Sequence, residues 1–478
     1  MRASLLKTFD KIFVVDLHGN ANKKEAGLDG LPDENVFDIR QGVSIIVAVK
    51  TSNFEEWAEV NHVELIGCRL EKFEQLATGS FEFSELTPDP GNLFLVPQSV
   101  HGKVEYESGV AIADLFPVNA IGMMAMRDTL AVDMTREAME KKVKAIISSS
   151  EKDLRAEYDV GKDSRDWKYK YAKDDLTQNY PNKGTFIEVN YRPFDKRWTF
   201  YTGTTKGLMA YPRYQVMRHF LKLSKELPTA NNVGLAFPKG TVFDMEWDGI
   251  SVVDSPVNGH FIDYPTRSVA YVAPLYLCPE GMETEWKANL NERELGRLVG
   301  NLSIKPEPLQ VFDYIYGVLY DPKYREKYGE FLKRDYPRVP IVGDPEAATN
   351  PDAFYVSEER FWQYVDAGSR LRKLHLLEDK HPADLTIEPK DSNDLEIGAI
   401  SYKNGILHLN KKKTIKGIPE EAYNYYIGGY QVLPKWFKSH KGGLLDIKNF
   451  SHIQNVVGAL VETIKIQKEF VAFARKER

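Results

Sequence analysis

Two stretches near the start of the chain decide its fold: FDKIFVVDLHGN at residues 9–20 and DENVFDIRQGVSIIVAVK at residues 33–50. In the first, the apolar run from Ile12 to Leu17 closes on His18-Gly19-Asn20, the pattern of a buried parallel strand with a polar loop at its carboxyl end. A charged, glycine-containing loop follows, and Val43 to Val49 reads as a second apolar strand. A third strand is expected over Val63 to Cys68, then an amphipathic helix from Leu70 to Ala77. Three strands in about 70 residues with no opening helix resemble the end of an α/β sheet. Nothing before Ile12 supplies further strands. An incomplete first domain, residues 1–80, is therefore expected, with an unpaired sheet edge near Ile12.

Further along, Tyr191-Arg192-Pro193-Phe194-Asp195-Lys196-Arg197-Trp198 sets three cations among aromatics and a proline. Strand-like runs lead in (Thr185 to Val189) and out (Trp198 to Tyr201), toward a small polar loop over residues 202–207. Pro193 fixes its own φ and biases Arg192 to extended backbone. A rigidly held arginine suits bidentate hydrogen bonding to phosphate or to a guanine edge. The same residues also suit a structural corner in which Arg192 or Arg197 pairs with Asp195. Residue types alone leave both readings open.

The rest of the chain reads as mixed α+β. Leu93 to Val96 is strand-like, Ile112 to Phe116 is a short helix, and Thr135 caps a helix running to Ser148. Residues 185–275 are strand-rich, with turns at Pro238-Lys239-Gly240 and Asn258-Gly259. Helices dominate from Glu292, and Asn404-Gly405 turns a hairpin in type I′ geometry. Ile453 to Phe473 is an amphipathic helix with Val456, Val457, Leu460 and Ile464 as its core stripe. The expected domains are 1–80, a mixed α+β domain over 81–290, a helical region over 291–385, and a hairpin with closing helices over 386–478.

With 478 residues, 42% of them hydrophobic and 28% charged, the chain has the composition of a multidomain globular protein. No apolar run approaches the ~20 residues that span a bilayer, so no membrane partner is expected. Met1 to Lys7 meets Asp10 and Lys11 too soon for a secretory signal. Cys68 and Cys278 read as core thiols and point to the cytoplasm. The ten histidines lack metal-ligand spacing, so no zinc site is expected. A net charge of −6 argues against a uniformly basic DNA-coating protein but leaves room for one basic face.

The two opening stretches, followed in order by RDWKYKYAKDDL (165–176), YRPFDKRW (191–198), VAPLYL (272–277), FDYIYGVLYDPKYREKYGEFLKRDYPRVP (312–340) and GIPEEAYNYYIGGYQVLPKWFK (417–438), resemble the carboxyl part of type ISP-like single-chain restriction–modification enzymes. The resemblance covers nearly the whole chain. It implies the last strands of a Rossmann-like adenine-N6 DNA methyltransferase sheet, then a mixed α+β target recognition domain with a helical C-terminal region. Such a complete enzyme uses S-adenosylmethionine, but the glycine-rich cofactor loop and the Asn-Pro-Pro-Tyr motif are missing from this sequence, as are helicase Walker motifs. No cofactor is therefore expected in this chain. The methyltransferase portion, with or without helicase and nuclease parts, is expected upstream or on a partner chain.

By the same resemblance Phe37 takes the place of the aromatic that stacks on a flipped adenine; a core residue before a strand is the plainer alternative. The expected partner is double-stranded DNA. Readout of base edges needs Arg, Lys, Asn or Gln side chains on a platform anchored to phosphates. The candidates are Arg192, Arg197, Lys206, Arg213, Arg218, Asn231 and Lys239, each of which also suits a paired surface side chain. Lys411 to Lys413 and Lys416 are either a phosphate contact or a solvated cluster. A separate, non-catalytic specificity subunit that partners a methyltransferase chain is the rival reading. A carbohydrate-acting or structural protein, suggested by the 12% aromatic content, leaves the ordered motifs unexplained.

Overall fold

Strand β1, Lys11–Asp16, is the centre of the first sheet, and its apolar run explains why. In this computed structural model Ile12 and Val14 are fully buried, and β1 pairs on both sides. The structure describes all residues except 21–32, 40, 52–56, 89–92, 98–101, 222–224, 241–246, 263–268, 344–352, 391–393 and 474–478, and the side chains of 471–473. The described residues fall into two units, one over Met1–His101 and a larger one that begins at Gly102.

In the first unit, helix α1 (Arg2–Thr8) precedes β1. Strand β2 (Ser44–Val49) runs antiparallel to β1, and β3 (Glu59–Glu64) runs parallel to it. Helix α2 (Arg69–Thr78) and the short strand β4 (Ser84–Leu86) complete the order β2-β1-β3-β4. Ile12 is not at an edge, because β2 and β3 flank it; among the described residues the edge strands are β4 and β2, and in β2 consecutive Ile45, Ile46 and Val47 are all exposed. Leu93 to Val96 is an irregular segment, with Leu93 at φ +54°, that buries Leu95 in the local core. Cys68 is the N-cap of α2, not a strand residue.

The second unit is built around one large core. Strand β5 (Ala120–Ile121), helix α3 (Arg136–Ser148) and helix α4 (Tyr169–Asn179) lead to an antiparallel hairpin, β6 (Thr185–Arg192) and β7 (Asp195–Tyr201). Strands β8 (Gly234–Pro238), β9 (Ser251–Val253) and β10 (Ala270–Pro274) then form an antiparallel sheet in the order β9-β8-β10-β5. Against it pack helices α5 (Pro308–Tyr320), α6 (Pro322–Leu332) and α7 (Glu358–His375), burying Leu235, Phe237 and Ala273 with Phe312, Tyr316 and Leu371. The expected break at 290/291 is therefore not a division, since one core crosses it.

The carboxyl part adds strands β11 (Thr386–Glu388), β12 (Ser401–Lys403), β13 (Ile406–His408) and β14 (Thr414–Lys416) in the antiparallel order β11-β14-β13-β12. Asn404 and Gly405 both have positive φ, as a type I′ turn requires. Helix α8 (Val432–Ser439) and the long α9 (Ile447–Phe473) follow. Helix α9 has two apolar faces instead of the single stripe expected. Ile453, Val456, Val457 and Leu460 join the carboxyl-terminal core, while Ala459, Ile466 and Phe470 join the large one. That shared helix is why 385/386 is not a boundary between units either.

A polar chain runs through this junction. The Val252 N–H donates to the Tyr316 hydroxyl (3.1 Å), which is 2.6 Å from His375 Nδ1, and His375 Nε2 is 2.9 Å from Thr463 Oγ1. Thr463 donates onward to the Ala459 carbonyl at 2.7 Å. Every member is satisfied only if His375 is neutral and carries its proton on Nε2. Burial agrees, pushing the His375 pKa down to about 3.

Candidate nucleic-acid interface

The loop after β7 is tied down from below by one buried acid. Asp175 lies on the inward stripe of α4 with Tyr169, Ala172 and Leu176. Its carboxylate accepts from Thr202 Oγ1 (3.0 Å), the Leu208 N–H (2.9 Å) and Asn179 Nδ2 (2.8 Å). Trp167 Nε1 donates to the Leu208 carbonyl at 3.2 Å, and the Tyr201 hydroxyl donates to the Pro212 carbonyl at 2.9 Å. A glycine is required at 207, because a side chain there would collide with the Asp175 carboxylate.

Clamped in this way, the loop holds two cations in left-handed backbone, Lys206 at φ +55° and Arg213 at φ +53°. Such backbone costs on the order of 1 kcal/mol for a non-glycine residue and persists only where its surroundings impose it. Lys206 is exposed. The Arg213 guanidinium stands 5.0 Å from the centre of the Tyr211 ring, and its buried Nε has no hydrogen-bond partner. Tyr211 pairs by backbone with Met124, which brings in the segment carrying Arg127. Arg127 lies 5.3 Å over the Trp167 ring, and next to Trp167 is the Arg165–Asp166 pair at 2.9 Å, with Arg165 89% exposed. Hydrogen bonding to the Asp166 carboxylate raises the Tyr211 pKa, which Arg165 and Arg213 partly oppose. Three cations, Lys206, Arg165 and Arg213, thus act on Tyr211 or Asp166, while Arg127 lies over the neighbouring Trp167 ring and donates to the Lys162 carbonyl.

The hairpin tip between β6 and β7 is different. Arg197 is buried and bidentate to Asp195, at 2.8 and 2.7 Å, and reaches Ser439 Oγ at 3.2 Å. His452 Nε2 donates to the Phe194 carbonyl at 2.8 Å, and Phe194, at φ +58°, packs against both cores. The corner reading thus describes Arg197. Half-buried Arg192 lies 4.2 Å over the Tyr191 ring and donates to the Tyr191 carbonyl and to Asn258 Oδ1 (3.2 Å). Lys196, beside it, is exposed but pairs with Asp254 at 2.7 Å.

The remaining candidates are engaged on other segments. Arg218 pairs with Glu280 at 2.9 Å. The Asn231 carbonyl accepts from Thr229 Oγ1, and exposed Lys239 lies 4.9 Å from the Tyr336 ring and 4.0 Å from Asp335. In the lysine cluster, Lys412 pairs with Asp394, Lys416 pairs with Glu388, and buried Lys413 donates to the Pro389 carbonyl at 2.7 Å. Phe37, in the first unit, is 58% exposed.

Sequence reasoning missed Asp175, Arg127, Arg165 and Tyr211. A signal existed for Asp175: an acid on the apolar stripe of a helix demands buried partners. Nothing in the spacing pointed to the other three, which tertiary contacts alone assemble.

A family model described as the type ISP C-terminal specificity domain matches residues 114–468. Among solved structures the chain is similar to the ATP-dependent type ISP restriction–modification enzyme LlaBIII bound to DNA, at 18% identity and TM-score 0.69. That match covers 98% of this chain and 32% of LlaBIII. The chain is likewise similar to DrdV in a DrdV–DNA complex (20% identity, TM-score 0.66, 98% of this chain and 48% of that one). A nuclease-deletion mutant of the type ISP enzyme LlaGI, in complex with a DNA substrate mimic, matches at 18% identity and TM-score 0.62, over 98% of this chain and 37% of that one. The chain therefore spans about a third to a half of the length of these proteins. No curated protein matches it.

Proposed function

The chain belongs to the family of type ISP C-terminal specificity domains, and from that premise we propose that it recognises the DNA target of a restriction–modification enzyme that methylates adenine N6. The observation that carries this reading is the clamped 202–213 loop. It presents Lys206 and Arg213 from imposed left-handed backbone, with Arg165 acting on the same Tyr211–Asp166 pair. Fixed cations next to an aromatic ring suit phosphate anchoring, and they lose little conformational freedom on binding. In this reading Arg192, beside Asn258, reads a base edge, and Arg197 acts indirectly by holding the tip through Asp195.

The first unit supplies, in the same reading, the end of a methyltransferase sheet. The parallel pairing of β1 with β3 and the apolar edge at Ile45, Ile46 and Val47 support this, since a strand exposed on both faces suits the interior of a larger sheet. Phe37 is the ring that stacks on the extruded adenine. S-adenosylmethionine and the groups that methylate the base belong to other parts of the complete enzyme. The proposed setting is cytoplasmic; among the described residues no helix is long and apolar enough to cross a membrane.

Selection of retained duplexes from a random pool at two salt concentrations tests the proposal. Enrichment of one short adenine-containing site is the expected result. Weak binding that collapses with salt and enriches nothing would contradict specific recognition by this chain.

A further inference from the structure

The loop that carries Phe37 rests on a fully buried ion pair. Lys72, on α2, has no exposed surface and places Nζ 2.7 Å from Asp33 Oδ1, 2.7 Å from the Leu17 carbonyl and 2.8 Å from the Glu34 carbonyl. The Asp33 carboxylate also accepts the Gly19 N–H (2.6 Å) and the Gly67 N–H (2.7 Å). Burying two opposite charges seldom adds stability over an apolar pair of the same shape. What this pair does is join the ends of β1 and the segment before α2 to the backbone at 33–34.

From that anchor two side chains reach the backbone of Phe37 itself. Asn35 Oδ1 accepts the Phe37 N–H at 2.8 Å, while its Nδ2 donates to the Gly19 carbonyl at 3.0 Å. Arg69, the first residue of α2, donates through Nε to the Asn35 carbonyl (2.7 Å) and through Nη2 to the Phe37 carbonyl (3.2 Å). Its Nη1 pairs with Asp38 at 2.9 Å. Both peptide groups of Phe37 are therefore held, yet its ring is one of the more exposed aromatic rings in the chain. A clamped backbone under a bare ring is a poor way to build a core and a good way to offer a flat apolar face.

We infer that Arg69 and Asn35 are positioning residues: they fix the Phe37 ring to receive an unstacked base, with Asp33–Lys72 as the buried anchor. The inference rests on the base-stacking part of the proposed function. Pre-setting the ring removes the ordering cost that would otherwise be subtracted from stacking.

The test compares the affinity of the full chain for two duplexes with the same flanks, one fully paired and one carrying a single bulged adenine. Stacking on an aromatic ring makes the wild-type chain prefer the bulged duplex by about fivefold or more. Phe37→Ala abolishes the preference and Phe37→Trp retains it. Arg69→Ala lowers the preference toward that of Phe37→Ala, Arg69→Lys lowers it part of the way, and Phe37→Ala with Arg69→Ala loses nothing further. Urea unfolding midpoints of the variants stay close to that of the wild type, which separates positioning from general unfolding. No preference in the wild type, or an unchanged preference in Phe37→Ala, overturns the stacking reading and this inference with it. A response to Phe37→Ala but none to Arg69→Ala overturns the positioning role alone, as does an additive double variant.

Discussion

The carboxylate of Asp175 accepts the Leu208 N–H at 2.9 Å and occupies the space that a side chain on Gly207 would need. One helix residue thereby sets the path of a loop more than two dozen residues away, with cations at both ends. Gly207→Ala is expected to push the loop off Asp175 and lower DNA affinity roughly tenfold, with about 1–3 kcal/mol of destabilisation from the strained contact. Binding isotherms beside denaturant melts check it; an unchanged affinity would separate the loop from recognition.

Lys206→Ala and Arg213→Ala test the phosphate contacts one at a time. Each is expected to lower the slope of log affinity against log salt by about 0.9. Lys206, being exposed, should change stability by less than about 0.5 kcal/mol. A slope that does not move would place that side chain off the DNA.

Arg197→Ala leaves the Asp195 carboxylate buried without its partner. A loss of about 3–5 kcal/mol is expected in urea unfolding. Since the pair also reaches Ser439, the loss should appear as loosening of the hairpin tip against α8, visible as faster amide exchange at residues 192–197.

Two buried histidines make the largest contributions to a pH dependence that His62, His440 and His452, also lowered by burial, share. Burial pushes His375 down to about 3 and His219 down to about 4. Both are neutral when folded, and His219 Nδ1 accepts the Cys278 N–H at 3.0 Å. An unfolded histidine takes up a proton near pH 6.5, so between about 6.5 and 4 the unfolded state binds more protons. The stability from these groups is fully present above about pH 6.5 and falls with acid, by at most about 1.4 kcal/mol per pH unit per histidine. Urea melts from pH 7.5 to 4.5 should show this slope, and His375→Gln should flatten it.

Much of the architecture was legible in the chain. The run at 12–17, the helix capped by Thr135, the strands leading into and out of the YRPFDKRW bend and the Asn404-Gly405 turn all appear where their periodicity and turn chemistry put them, though the two strands extend further into the bend than expected. Arg197 shows the limit. Its sequence neighbours suited either a DNA contact or an ion pair with Asp195, and only the packing of the tip against α8 and α9 buries it.

The sequence by itself determined the local elements, because apolar period, caps and positive-φ turns act over a few residues. It also determined the family, since the motifs lie in order along the chain. Tertiary structure alone decided which strands of the first sheet are its edges, and that one core crosses the expected boundaries. It also decided which cations are held in buried pairs and which stay exposed. The physical reason is the same in each case. Burial and pairing depend on groups brought together from far along the chain: Asp175 with Leu208, Arg127 with Trp167, and Lys72 with Asp33.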